Sequence, residues 1–183
     1  MNEYNEEDLA AQLDDETTRR QAFSEIIKIY KERLYWQIRK IVLVHEDADD
    51  VLQNTFLKAW RNLDNFRGES KLSTWLYRIA VNESLTFLNK RKQEQEMTVD
   101  DPDAVLLDRM QADEYFNGDE LQTLLMKAIQ TLPEKQRLVF NMRYFDEMKY
   151  EEMSDILGTS VGALKASYHI AAKKIEEFFN NQV

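Results

Sequence analysis

The stretch richest in usable chemistry runs from Phe66 to Lys92, FRGESKLSTWLYRIAVNESLTFLNKRK. Its cations Arg67, Lys71, Arg78, Lys90, Arg91 and Lys92 suit phosphates, and Phe66, Trp75 and Tyr77 suit the faces of unpaired bases. Arg78 and Asn82 are one helical turn apart and lie off the apolar stripe, where a nucleic acid can meet them. Trp75 falls on the stripe with Leu72 and Ile79, which favours core over stacking platform. A second pattern, YEEMSDILGTSVGALKASYH, occupies 150–169. It has the order of a helix-turn-helix: small Ser154, Gly158 four residues on, and Met153, Ile156, Leu157, Val161 and Leu164 to pin the crossing. Gly158 takes a left-handed conformation without strain, and Thr159 or Ser160 caps the next helix with backbone N–H groups left for a phosphate. Lys165, Ser167, His169 and Lys173 form the exposed set, whose first half can reach base edges in a major groove. A helical hairpin in a structural bundle would show the same glycine and apolar spacing.

Other chemistries find little support. Asp49/Asp50 and Glu151/Glu152 are adjacent on helices, so their carboxylates diverge and suit no shared acid–base site. There is no cysteine, and the two histidines are His45 and His169, so no metal site is expected. No phosphate-cradling glycine loop and no Ser/His/Asp constellation stands out. The chain reads as a protein without enzymatic activity, cofactor or small-molecule substrate.

The net charge of −10 over 183 residues sits awkwardly with DNA binding until its distribution is read. Residues 1–18 carry seven acids and no base, and 93–120 carry ten acids against Arg109. Between them, 58–92 carry eight bases (Lys58, Arg61 and the six above) against Asp64, Glu69 and Glu83. Acidic flanks weaken non-specific binding and leave one basic face. An ordinary solvated helix face is the plain alternative. No apolar run approaches the roughly 20 residues of a membrane span, and the N-terminus lacks a basic, apolar signal pattern, so a cytoplasmic location is expected.

Four glycines and two prolines leave little material for hairpins, and the periodicity is helical throughout. The expectation is an all-α chain of two small helical domains joined by a flexible acidic linker. Residues 1–16 read as an acidic N-terminal tail. Residues 17–92 read as three helices. The first carries Phe23, Ile26, Ile27, Tyr30, Leu34, Ile38 and Ile41. The second runs from about His45 to Leu63, and the third is built on Leu72, Trp75, Leu76, Ile79 and Ala80. The pattern fails over 93–118, where Asp100-Asp101-Pro102-Asp103 marks a turn before a short helix near 104–110. Residues 119–183 read as four helices, one beginning at a capping box from Thr131 to Glu134 with Pro133 in the first turn.

DADDVLQNTFLKAWRNLDNF (47–66) followed by FRGESKLSTWLYRIAVNESLTFLNKRK resembles conserved region 2 of the extracytoplasmic-function sigma factors, the small members of the sigma-70 family. LPEKQRLVFNMRYFDEMKYEEMSDILGTSVGALKASYHIAAKKIEEF (132–178) resembles their region 4. The resemblance makes 17–92 region 2 and 119–183 region 4, and it implies three tasks. Asp49, Asp50, Gln53, Asn54 and Phe56 match the motif that docks on a coiled coil of the β′ subunit of core RNA polymerase. Asn65, Phe66, Arg67, Lys71, Arg78 and Asn82 fall in the element that recognises and opens the −10 promoter sequence. Ser160, Val161, Gly162, Lys165, Ser167, His169 and Lys173 fall where the family reads the −35 duplex. Ala163 and Ser167 stand where the family often has Thr and Arg, which shifts −35 reading towards backbone and shape.

The resemblance therefore implies an initiation factor with core polymerase (β′ and β subunits) and promoter DNA as partners. It also implies an anti-sigma factor as control partner. The runner-up is an autonomous dimeric helix-turn-helix regulator, which would bind a palindromic duplex without polymerase. A purely protein-binding helical scaffold is a third reading.

Overall fold

In the computed structural model the described residues are 6–66, 68, 70–95 and 120–181, and the chain divides into two units at Lys90/Arg91. The N-terminal unit contains α1 (Glu6–Asp14), α2 (Arg19–Val42), α3 (His45–Arg61), a 3-10 turn (Leu63–Asn65) and α4 (Leu72–Gln95). The second contains α5 (Glu120–Gln130), α6 (Glu134–Tyr144), α7 (Tyr150–Leu157) and α8 (Val161–Asn180). Among the described residues there is no strand, and no helix is long and apolar enough to cross a membrane.

Helix α1 corrects the expectation of an acidic tail over 1–16. Leu9 and Leu13 lie one turn apart and are both buried, with α1 packed on α2. Glu6, Glu7 and Asp8 occupy the first turn, where the helix dipole favours negative charge. Glu7, Asp8 and Asp14 are exposed, so most of the α1 acids that suggested a solvated tail lie on the solvent side of an amphipathic helix. Glu6 Oε1 accepts a 2.6 Å hydrogen bond from the Tyr30 hydroxyl of α2. Burial pushes the Tyr30 phenol well above its ordinary range, and the Glu6 bond and charge push it further. In the turn that follows, Asp15 Oδ1 accepts from the Thr17 hydroxyl at 2.7 Å and the Thr17 amide at 2.8 Å, which holds the Asp15 carboxyl below its usual value.

The long helices follow their stripes. Phe23, Ile26, Tyr30, Leu34, Ile38 and Ile41 of α2 are buried, against Ala48, Val51, Leu52, Phe56 and Ala59 of α3. Two residues join these helices. Leu43 turns the chain in a left-handed conformation (φ 70°), and its amide donates to Arg39 O at 2.9 Å. That conformation costs a non-glycine residue about 1–2 kcal/mol, offset here because the Leu43 side chain is only 1% exposed. Helix α3 stops at Arg61, short of the expected Leu63. The 3-10 turn follows, anchored by the Arg19–Asp64 pair at 3.0 Å. Helix α4 joins the unit through buried Leu72, Leu76, Ala80 and Val81, the Lys58–Glu83 ion pair, and Arg33 lying 5.3 Å above the Tyr77 ring. It continues past 92 to Gln95, so part of the expected linker is helical. The rest, with the expected helix near 104–110, lies outside the described residues.

In the C-terminal unit α8 is the common partner, packing on α5, α6 and α7. Leu164, Ala171 and Ile175 meet a core that includes Met126, Ile129, Leu138, Met142, Met153 and Ile156. Phe140 stacks on Tyr144 and Tyr168 with centroids 5.1 and 5.6 Å away. Helix α6 begins at Glu134 as expected, but without the capping box. Thr131 Oγ1 instead donates to Ala128 O at 2.7 Å, closing the end of α5, and Pro133 is the residue before α6.

Candidate functional site

Helices α2 and α3 leave an open groove of about 580 Å³ between them. Phe23, Ile27 and Lys31 line one side at four-residue spacing. Asp49, Leu52, Gln53, Phe56, Leu57 and Trp60 line the other. Its floor is aromatic: Phe23 meets Phe56 edge-on at 6.4 Å and Trp60 at 5.1 Å. Core packing does not consume all of this surface. Leu57 stays 50% exposed and Trp60 37%. Large apolar groups left in water beside carboxylate and amide acceptors suit a helical partner with an apolar stripe and basic flanks. Of the five residues assigned to docking by resemblance, Asp49, Gln53 and Phe56 line the groove, with Phe56 mostly buried. Asp50 and Asn54 are exposed but belong to the neighbouring face of α3. At the head of the groove His45 Nδ1 lies 2.7 Å from the Tyr35 hydroxyl, and His45 Nε2 lies 3.5 Å from Asp49 Oδ2.

The 3-10 turn and α4 carry the second group. Asn65 is exposed and donates from Nδ2 to Asn62 Oδ1 at 3.3 Å. Phe66 is half-buried and packs on the half-buried Trp75, ring centroids 5.0 Å apart. Trp75 is therefore neither wholly core nor a free platform. Gly68 takes φ 69°, a left-handed conformation that glycine adopts without strain. Lys71 and Asn82 are exposed, Arg78 is half-buried, and Arg67 lies outside the described residues. Tyr77 is buried beneath Arg33, which removes it from the aromatic supply named above. Lys58 is tied to Glu83.

The helix-turn-helix forms over α7 and α8. Gly158 takes φ 62° and its amide donates to Ser154 O at 2.9 Å. Ser160 is the N-cap of α8, its Oγ accepting from the Ala163 amide at 3.3 Å. Gly162, Lys165, His169 and Lys173 are exposed, Val161 and Ser167 half-buried, and Leu164 is the buried pin. Lys173 lies 3.9 Å from Glu177, one turn on. Tyr150 at the start of α7 has two cations against its ring, Arg143 at 5.3 Å and Lys165 at 5.7 Å. Arg143 Nη1 also donates to Met148 O at 3.1 Å, so the loop before α7 is held from the same side chain.

The family model of Sigma-70 region 2 matches residues 26–94, which span the groove, the 3-10 turn and α4. That of Sigma-70 region 4 matches 122–175, which span the helix-turn-helix. The chain is 30% identical over 166 residues to the RNA polymerase sigma-H factor of Pseudomonas aeruginosa, covering 86% of both chains. The chain belongs to the extracytoplasmic-function sigma factors of the sigma-70 family. It is 31% identical over 156 residues to the ECF RNA polymerase sigma factor SigW of Bacillus subtilis, covering 81% of this chain and 83% of that one. Two solved structures share the fold. One is the sigma factor RpoE bound to the anti-sigma factor NepR from Bartonella quintana (TM-score 0.67, 23% identity, 86% of this chain and 96% of that chain). The other is CnrH bound to the cytosolic domain of CnrY (TM-score 0.69, 23% identity, 96% of this chain and 97% of that chain). As a sigma factor the protein works in transcription initiation, with regions 2 and 4 serving promoter recognition.

Several residues of this sigma factor's surfaces escape a one-dimensional reading. Leu57 and Trp60 become visible as a site only when α2 supplies Phe23, Ile27 and Lys31 opposite them. A faint signal existed in α3, where Phe56, Leu57 and Trp60 make the apolar band wider than one core contact needs. Tyr150 and Arg143 had no signal, since their convergence with Lys165 depends on three helices meeting.

Proposed function

We propose that this sigma factor docks on core RNA polymerase through the α2–α3 groove, with residues 17–92 acting as region 2 and 119–183 as region 4. The carrying observation is that Asp49, Gln53 and Phe56 line a groove that keeps Leu57 and Trp60 in water. A helix of the β′ subunit would lay its apolar stripe on Leu57 and Trp60 and offer cations to Asp49. Asp50 and Asn54 act from the adjoining face. In the −10 element, Asn65, Phe66, Arg67, Lys71, Arg78 and Asn82 hold the separated strand, cations on phosphates and Phe66 beside the bases. At the −35 element Ser160, Val161 and Gly162 present the α8 N-terminus to a phosphate, and Lys165, Ser167, His169 and Lys173 face the groove of the duplex. Nucleotide addition belongs to the polymerase, and the site of action is the cytoplasm. Because the RpoE and CnrH structures hold their partners NepR and CnrY, an anti-sigma factor is the expected control partner here too.

Run-off transcription with core polymerase of the source organism on genomic fragments tests this reading. New discrete start sites should require the protein and vanish in the Asp49→Ala/Gln53→Ala double variant. Sequence-specific duplex binding by the protein alone, as a dimer and without stimulated transcription, would instead establish the autonomous regulator.

A further inference from the structure

The His45 side chain bridges the two helices at the head of the groove, and nothing in the docking motif accounts for it. We propose that His45 is a positioning residue that fixes the Asp49 carboxylate for core polymerase and makes docking sensitive to protonation. This rests on the reading that Asp49 belongs to the docking surface. His45 is the first residue of α3, and Asp49 is one turn further along the same helix. Its Nδ1 lies 2.7 Å from the Tyr35 hydroxyl of α2, and the two rings meet edge-on with centroids 5.9 Å apart. Its Nε2 lies 3.5 Å from Asp49 Oδ2. In the neutral ring a proton on Nε2 leaves Nδ1 to accept from the Tyr35 hydroxyl and avoids setting an Nε2 lone pair against the Asp49 carboxylate 3.5 Å away. On protonation Nδ1–H donates to the Tyr35 oxygen, and the Nε2 contact becomes an ion pair. Tyr35 holds the ring in either state, so protonation changes the charge beside Asp49 more than the geometry.

The titratable groups against His45 are Tyr35 from α2 and Asp49 from α3. Lys31 shares the groove lining with Asp49. Glu46 and Asp47 stand in the same first turn of α3, and Arg39 and Lys40 in the last turn of α2. A protonated imidazole beside Asp49 cancels part of the negative charge that a basic partner would meet. Docking therefore weakens as pH falls.

The test is equilibrium binding of the full-length protein to purified core polymerase at pH 6.0 and 8.0. The variants are His45→Ala, His45→Gln, Tyr35→Phe and Asp49→Ala. The wild type should bind about three-fold more weakly at pH 6.0 than at 8.0, the size expected of one exposed ion pair. His45→Gln can donate to Asp49 but takes up no proton. It should flatten that profile while binding more tightly at pH 8.0 than His45→Ala. Tyr35→Phe should fall between His45→Ala and wild type at pH 8.0. If Asp49→Ala weakens binding but His45→Ala and wild type share one affinity and one pH profile, the role of His45 is refuted and the docking groove stands. If Asp49→Ala binds core as well as wild type does, both the docking role of Asp49 and this proposal fall.

Discussion

Leu57 offers the cleanest separation between folding and docking. Half of its side chain is in water, and complete burial of a leucine is worth about 1.5–3 kcal/mol. Covering the exposed half under a partner helix should therefore contribute about 1 kcal/mol, and Leu57→Ala should raise the Kd for core polymerase about five-fold. Leu57→Asp adds an unpaired carboxylate to an apolar contact and should cost at least 2 kcal/mol more, which brings the total loss above a hundred-fold. Leu57→Ala should cost the fold no more than about 1 kcal/mol, the share of its buried half. Competition binding against a labelled wild-type protein gives the affinities, and urea unfolding gives the stabilities. Binding within two-fold of wild type for both variants would refute docking through this groove. A binding loss that tracks lost stability would do the same, because it would make Leu57 a packing residue.

Lys165→Ala should weaken holoenzyme binding to the preferred promoter by about 1–3 kcal/mol and relax the preference at one −35 position, the mark of a lost base contact; binding to a set of single-base −35 variants checks it. Ser160→Ala should destabilise the C-terminal unit by about 1 kcal/mol through loss of the α8 cap, while Ser160→Gly costs only a few tenths; thermal unfolding measures both. Tyr30→Phe should cost about 1 kcal/mol by removing the bond to Glu6. Tyr30 has its folded pKa raised from 10.0, so its contribution is complete below pH 10 and is lost as pH rises beyond it. Stability profiles of wild type and Tyr30→Phe should therefore converge only in strong alkali.

The residues that fold this chain were largely legible because they repeat. The stripes of α2, α3 and α8 and the Gly158–Ser160 stop and start are local signals, and the structure places them where periodicity and capping demand. Leu9 and Leu13 carried the same signal, but two apolar positions among seven acids say nothing until Tyr30 and the rest of α2 are there to receive them. Thr131 failed as a cap for a related reason. Pro133 rather than Thr131 is the residue before α6, and the Thr131 hydroxyl donates to the carbonyl behind it. The proposed docking surface was legible only by kinship, which named Asp50 alongside Asp49. The rotation of α3 against α2 decides which carboxylate faces the groove, and no spacing within α3 contains that rotation.

The left-handed Leu43 also bears on how this surface could change through descent or engineering. Both walls of the groove belong to one continuous stretch, Phe23 to Trp60, whose two helices meet at a corner that few residue types tolerate. A buried leucine at such a corner leaves little freedom to reset the angle between the walls, so new partner preferences must come from exchanging side chains along them. The same continuity makes the hairpin a transplantable module. Grafted into another small helical protein with its corner and floor retained, it should carry its partner preference along, whereas the two surfaces proposed to face DNA would stay with the parent.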